Sequence, residues 1–566
     1  MSDIIIEQNV PARMRDGVTL YADVYRPSEP GQYAVLLTRS PYGKDTILMN
    51  IFQSLHILRA VREGYVVIIQ DCRGRFTSEG TFEYCFHEGE DGYDTVEWAA
   101  GLPYSSGSVG IFGGSYHGWT QWSAAGLRPP HLKAIAPMHT FSDFSGKDFR
   151  GGAFVLGDVL PWRLQMSMGK LTREFTASGH SAEEINGIMP TIMDYLEELN
   201  QGNFSEVPLR HLKSLEKIGL ADVIGRLLDL GPGNLTPGFH VEYSNIEVPS
   251  LNTGGWYDIF QQYTIDNYVG SKTLGRGAAR YSHLLVGPWG HGQLLPLVGE
   301  MNFGPKVNAA MMDLTGIQLR WFDHWLKNVD NGVENDDPVR IFITGENSWT
   351  NMPDWPNPAA TEKRLYLRAN RQLDFSSPQT DNDSTSYDYD PENPVPTLGG
   401  NILLEPRGIK DQRPLSARPD VVTFTGNPID SQLRVAGHIF ADIWISSSAP
   451  DTDFVVRLID IYPDGYMHNL CDGIIRARYR NSLKNPEWLK ADEAYDLQID
   501  LWSVAHVFKP GHRIAVQVAS SSFPWWDRNW NTTENPGAAI SGQIAHQTIW
   551  HDSGHPSCFI LPVLGS

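Results

Sequence analysis

The chain has 566 residues, 41% of them hydrophobic and 11% aromatic, a globular composition too long for one core, so about three domains are expected. Its 66 acidic and 45 basic residues leave a formal net charge of -21, which argues against nucleic acid and anionic membrane surfaces as partners. The start, Met1-Ser2-Asp3-Ile4, lacks the basic and apolar segments of a signal peptide, no uncharged apolar stretch is long enough to span a membrane, and Cys72, Cys85, Cys471 and Cys558 show no C-x-x-C spacing; a cytoplasmic protein with buried thiols and no metal or cofactor is expected.

In chain order, apolar and β-branched runs at Ala34–Thr38, Tyr65–Gln70, Val109–Phe112 and Lys133–Ala136 read as strands. Helical patterns at Ile47–Glu63, Asp91–Ala100 and Gly118–Leu127 lie between them, which predicts a parallel sheet covered on both faces. From Phe144 to about Val241 strand-like runs vanish, and Leu, Met and Ile recur at helical spacing, as in Ser181–Asn200 and Leu209–Leu230. Strand-like runs return at Pro249–Thr253 and His283–Gly287, and an amphipathic helix is predicted over Val307–Lys327. After about Met352 short alternating segments take over, among them Arg364–Leu367, Gly437–Ser447, Phe454–Ile461, Ala494–Ser503 and His512–Ser520, the signature of an all-β sandwich or jelly roll. The predicted organisation is an α/β-hydrolase catalytic domain (1–143 and 242–352), a helical cap inserted into it (144–241) and a C-terminal β jelly-roll domain (353–566).

The chemistry centres on Gly113-Gly114-Ser115-Tyr116-His117-Gly118, between the run ending at Phe112 and the helical segment that follows. A serine between glycines at a strand-to-helix corner is built as a nucleophile elbow, and the next residue, Tyr116, offers its backbone N–H to an oxyanion. A serine hydroxyl is a weak nucleophile and needs a base, and the base needs an acid to fix its tautomer. Asp258 follows a strand-like run in Gly255-Trp256-Tyr257-Asp258, and His291 follows another in Gly287-Pro288-Trp289-Gly290-His291; both stand in the order that α/β-hydrolases require. Asp258 also fits a helix N-cap, and His117, beside the serine, is a less suitable base because an elbow serine faces a later loop. The glycine falls at 118 rather than 117, a departure from G-x-S-x-G. With no H-G-G-G motif, the second oxyanion donor falls to the Tyr42 hydroxyl in Thr38-Arg39-Ser40-Pro41-Tyr42-Gly43, although a tyrosine packed under a proline turn reads equally well.

Taken together these segments resemble the X-Pro dipeptidyl-peptidase and cocaine esterase family, which also holds glutaryl-acylases and α-amino acid ester hydrolases. The elbow is similar to that family's G-x-S-Y-x-G, and the resemblance runs through Pro41-Tyr42, Gln70-Asp71-Cys72-Arg73-Gly74, Ser78-Glu79-Gly80, Asp411-Gln412-Arg413-Pro414 and Ser520–Thr532. It implies Ser115 as nucleophile, Asp258 as acid, His291 as base, and Tyr42 with the Tyr116 N–H as oxyanion hole. It also implies a substrate pocket at Gln53, Phe149, Trp162, Phe260, Leu403 and Leu404, with Phe149 and Leu404 standing where an aryl-ester-cleaving relative carries tryptophan and phenylalanine. Asp71, Arg73 and Glu79 read as an ion-paired scaffold near the site. The expected activity is cleavage of carboxylic esters with a bulky apolar or aromatic part. Two alternatives stand beside it. One is amide chemistry on the same residues, as an X-Pro dipeptidyl peptidase, a β-lactam acylase or an α-amino acid ester hydrolase. The other is an inert carbohydrate-binding protein using Trp525, Trp526 and Trp530. The expected partner is a small-molecule ester, and a homodimer is allowed.

Overall fold

The computed structural model describes residues 3–49, 55–234 and 240–565. Ten strands form the first sheet: β1 (Ile4–Arg13), β2 (Thr19–Pro27), β3 (Tyr33–Ser40), β4 (Tyr65–Asp71), β5 (Ser105–Gly114), β6 (Leu132–Met138), β7 (Leu251–Tyr257), β8 (His283–Gly290), β9 (Val339–Ile343) and β10 (Ser348–Met352). Their spatial order is β1-β2-β4-β3-β5-β6-β7-β8-β9-β10. The seven strands from β4 to β9 run parallel. Antiparallel pairs close both ends, so the sheet is mixed rather than parallel throughout.

Alternation within the parallel strands explains the layering. Val35, Leu37, Val66, Ile68 and Ile111 share one buried cluster with Val96 of α2 (Glu88–Ala100) and Trp119 and Trp122 of α3 (Tyr116–Gly126). The intervening Leu36, Val67, Ile69 and Phe112 face the other way, onto α1 (Ile57–Arg62) and Leu319, Trp321, Phe322 and Leu326 of α7 (Leu314–Lys327). A period of two with both faces buried is what a helix-covered parallel strand requires.

Between β6 and β7 lie two long helices, α4 (Leu156–Ala177) and α5 (Ala182–Asn200), the latter opened by a capping box of Ser181 and Glu184. Helix α6 (Gln261–Leu274) follows β7. Three predicted helices come out shorter. The 209–230 segment breaks into a 3₁₀ turn, Lys213–Ile218, and one helical turn and a half, Gly225–Leu230, because Gly219 turns left-handed at φ 72°. The 307–327 segment becomes helical only at Leu314, where the Asp313 side chain caps the Gly316 N–H. Within 47–63 the described helix is α1, preceded by a 3₁₀ turn at Lys44–Met49.

From Ala360 onward the chain is β apart from single helical turns such as Arg413–Ser416: an eleven-stranded sheet, antiparallel except for one two-residue parallel pairing. Its long strands, Leu433–Ser447, Asp453–Ile461, Tyr495–Phe508 and Arg513–Ala519, cover the alternating segments of the sequence. This unit packs against the first sheet: Ala436, Ala505 and Val507 share a core with Trp256, Tyr257 and Ile341. Trp525, Trp526 and Trp530 are each 5% exposed or less and lie in the interior, so they offer no face for stacking on a sugar. All four cysteines are free and buried.

Candidate active site

Four adjacent strands end at one place. Ser115 is the single residue between β5 and α3, His139 follows β6, Asp258 follows β7 and His291 follows β8. Neighbouring strands lie about 4.8 Å apart, so consecutive strand ends hold these side chains within reach of one another. Ser115 has φ 57° and ψ -127°, the strained conformation of an elbow. Its N–H donates to Met138 O at 2.9 Å, and its carbonyl accepts from Thr140 Oγ1 at 2.7 Å. Thr140 also explains the glycine at 118: a Cβ there would lie 2.5 Å from the threonine Cβ. The shifted glycine answers a close approach across the corner.

The Ser115 hydroxyl donates to His291 Nε2 at 3.0 Å, and His291 Nδ1 donates to Asp258 Oδ2 at 2.6 Å. Asp258 is fully buried, and its Oδ1 accepts from the Phe260 N–H at 2.7 Å. That last bond is a local turn contact two residues before α6, whose N-cap is Phe260 with no side-chain cap, so Asp258 is not the helix cap that the sequence also allowed. Asn401, from the β domain, clamps the loop by donating to the carbonyls of Trp256 and Asp258, each at 3.0 Å. Burial pushes the Asp258 carboxyl up, but the charges and hydrogen bonds of His139 and His291 outweigh it and hold it well below the usual carboxylate range. His117 turns away: its Nδ1 meets Gly114 O at 2.9 Å, and burial holds its ring down at about 4.

Tyr42 sits beyond the end of β3. Its hydroxyl accepts from Trp162 Nε1 at 3.2 Å, both it and Ser115 line the same cavity, and burial pushes the phenol up to about 12. Tyr116 is the first residue of α3, so its N–H has no acceptor within the helix. The loop carrying Tyr42 is pinned by Asp71, which accepts from the Lys44 N–H at 2.7 Å and from Thr77 Oγ1 at 3.0 Å. Arg73 pairs with Asp91 at 2.6 Å and Asp16 at 2.7 Å, while Glu79 accepts from the Thr19 N–H at 3.0 Å.

These groups open into a cavity of about 380 Å³. Phe141, Trp162, Ile259, Phe260 and Leu403 form its apolar wall, so Trp162, Phe260 and Leu403 stand where the resemblance implied. Phe149 and Leu404 do not line it. Phe149 is drawn into a two-residue hairpin against Phe154, with ring centroids 5.3 Å apart, and Leu404 packs on α4, where a Cβ at Gly157 would lie 3.0 Å from its Cδ1. Gln53 lies outside the described residues. The wall also carries Lys147 and Asp158, which the sequence did not single out. Lys147 Nζ lies 2.6 Å from Asp148 and 3.8 Å from Asp158, and Arg163 lies 3.8 Å from Asp148, a buried set balanced in charge. Burial raises the Asp158 carboxyl, with Lys147 opposing.

Among the described residues, one group has donor atoms spaced for a metal ion: His139, Asp258 and His291, within 4.8 Å of one another. Both imidazoles already turn Nδ1 onto Asp258 Oδ2, so hydrogen bonding accounts for the approach. A hydroxyl, an imidazole and a buried carboxylate in line can withdraw and return one proton beside a carbonyl. No helix among the described residues is long and apolar enough to cross a membrane.

The family model described as X-Pro dipeptidyl-peptidase (S15 family) matches residues 16–293, and that of the X-Pro dipeptidyl-peptidase C-terminal non-catalytic domain matches residues 331–559. The cocaine esterase of Rhodococcus sp. (strain MB1 Bresler) is 35% identical, over 99% of this chain and 98% of that protein. Among solved structures, an α-amino acid ester hydrolase superposes with a TM-score of 0.76 at 27% identity, covering 99% of this chain and 97% of its own. An aminopeptidase from a marine sediment archaeon, Thaumarchaeota archaeon, does so with a TM-score of 0.75 at 25% identity, covering 100% of this chain and 97% of its own.

Proposed function

The chain belongs to the X-Pro dipeptidyl-peptidase and cocaine esterase family, and from that premise we propose that it is a serine esterase acting on carboxylic esters with a bulky, largely apolar part. The observation that carries the reading is the unbroken hydrogen-bond chain Ser115–His291–Asp258 at the floor of a cavity walled by Trp162, Phe260 and Leu403. Ser115 Oγ attacks the ester carbonyl while His291 Nε2 takes its proton. Asp258 holds Nδ1–H in place and stabilises the imidazolium. The developing oxyanion accepts from the Tyr42 hydroxyl and the Tyr116 N–H. His291 then protonates the departing alcohol, and water, activated by the same imidazole, releases the acid from the acyl-enzyme. The acidic composition supports action on neutral or cationic esters, and four free, buried cysteines suit a reducing cytoplasm.

Amide cleavage on the same groups is the second reading, and Asp158 on the cavity wall favours it, since a carboxylate can hold a substrate ammonium. Lys147 and Arg163 offset Asp148 and Asp158, which leaves no net negative charge in the wall to anchor one. Rates on p-nitrophenyl esters and on Ala-Pro-p-nitroanilide separate the two readings. Ester cleavage is expected to dominate; cleavage of the anilide alone would overturn the esterase reading.

A further inference from the structure

His139 stands between the serine strand and the aspartate strand, yet the proposed reaction gives it no task. It is fully buried, and its backbone is left-handed at φ 47°, uncommon outside glycine. Its N–H donates to Thr253 O at 2.7 Å, which fastens it to β7 beside Asp258. Its Nδ1 lies 3.1 Å from Asp258 Oδ2, the oxygen that also receives His291 Nδ1. The Gly292 N–H, one residue past His291, approaches the same Nδ1 at 3.3 Å. Its Nε2 is buried without a hydrogen-bond partner among the described residues.

We propose that His139 is a positioning residue of this site, donating from Nδ1 to Asp258 Oδ2 and so fixing the carboxylate that orients His291. Nδ1 can serve one of its two neighbours only. As an acceptor for Gly292 it would turn a lone pair on a carboxylate oxygen 3.1 Å away and leave Nε2–H as a buried donor without an acceptor. As a donor to Asp258 it leaves the Gly292 N–H and a bare Nε2 lone pair unserved, but it replaces a lone pair turned on a buried carboxylate by a charge-assisted hydrogen bond to it. The charged and titratable groups around this point are Asp258 and His291 from the strand ends, Asp158 from α4, and Tyr42 across the cavity.

Two consequences follow for His291. With Oδ1 held by Phe260 and Oδ2 by His139, the carboxylate cannot swing away from the base. The shared oxygen also gives up part of its charge to His139, which tempers the pull on the His291 proton. Removing the donor therefore strengthens that pull while loosening the geometry. Only the kinetic consequence depends on the proposed esterase reaction; the hydrogen bond does not.

NMR of the full-length protein with ¹⁵N-labelled histidine tests this, with His139→Leu and His139→Asn identifying the ring signals. In the wild type, His139 is expected as the Nδ1–H tautomer at neutral pH. In His139→Leu the His291 Nδ1 proton resonance moves, because Asp258 Oδ2 then accepts from His291 alone. In parallel, kcat on p-nitrophenyl butyrate falls about tenfold with KM unchanged, as expected for lost orientation alone. Asparagine, which tolerates the left-handed backbone and carries an N–H donor, brings both back toward wild type. An Nε2–H tautomer in the wild type, or a His291 Nδ1 proton resonance unmoved in a folded His139→Leu protein, overturns the proposal. A wild type that cleaves no ester refutes the proposed function instead, and the tautomer still decides this point.

Discussion

Tyr42→Phe removes one oxygen from the site. The hydroxyl lines the cavity with Ser115 and accepts from Trp162 Nε1 at 3.2 Å. Because burial pushes it up to about 12, only about one phenol in 10⁴ is ionised at pH 8, so it acts as a donor throughout the working range. Loss of one oxyanion donor costs about 10²–10³ in kcat, or about 2.7–4 kcal/mol of transition-state stabilisation. Folding loses much less. The ring keeps its edge contact with Tyr116 at 6.5 Å and its tilt on His117 at 5.6 Å, and one hydrogen bond from Trp162 is forgone, about 1 kcal/mol. The assay is steady-state kcat and KM on p-nitrophenyl esters beside a urea unfolding curve. The expected result is a kcat lower by two to three orders of magnitude, a nearly unchanged KM and an unfolding midpoint close to wild type. A kcat within about threefold of wild type would refute the oxyanion role.

Asp258→Asn should lower kcat by about 10⁴ in the same assay while leaving the fold intact, because a neutral amide cannot stabilise the imidazolium and, with its oxygen toward the imidazoles, sets its NH₂ against the Phe260 N–H; retention of a tenth of wild-type activity would remove Asp258 from the mechanism. Acid stability carries a second signature. His117 is held at about 4 in the folded protein against about 6.5 unfolded, so its contribution is complete above about pH 6.5 and is lost as pH falls toward 4, about 2 kcal/mol by pH 5. Comparing urea midpoints at pH 8 and pH 5, His117→Gln should lose less than wild type; equal losses would count against a buried neutral ring. Gly118→Ala should destabilise the protein and impair the elbow together, since the new methyl meets Thr140 at 2.5 Å; a crystal structure of the variant with Ser115 unmoved would contradict the stated reason for that glycine.

The legible parts were those written in local sequence. The elbow is six consecutive residues, and Asp258 and His291 each end an apolar run, so strand order alone brought them to one edge of the sheet. Phe149 and Leu404 came by resemblance, and each is turned off the cavity by a contact that alignment does not carry: the hairpin with Phe154 and the bare surface of Gly157. Asn401 acts on the Asp258 loop from another domain, and Lys147 and Asp158 meet the cavity only after α4 folds over it. His139 did carry a signal, since it ends Lys133–Ala136 just as the other site residues end their strands. The outer strands β1, β2, β9 and β10 escaped because polar residues such as Glu7, Asp23, Arg340 and Asn351 interrupt their apolar runs. The helix break at Gly219 was hidden because leucine spacing continues across it.

The central claim is that Ser115 is an activated nucleophile. A fluorophosphonate probe with intact-protein mass spectrometry tests it most directly. The account predicts one adduct per chain, located on Ser115, with labelling and ester turnover both abolished in a folded Ser115→Ala protein. Labelling or hydrolysis that persists in that variant would contradict it.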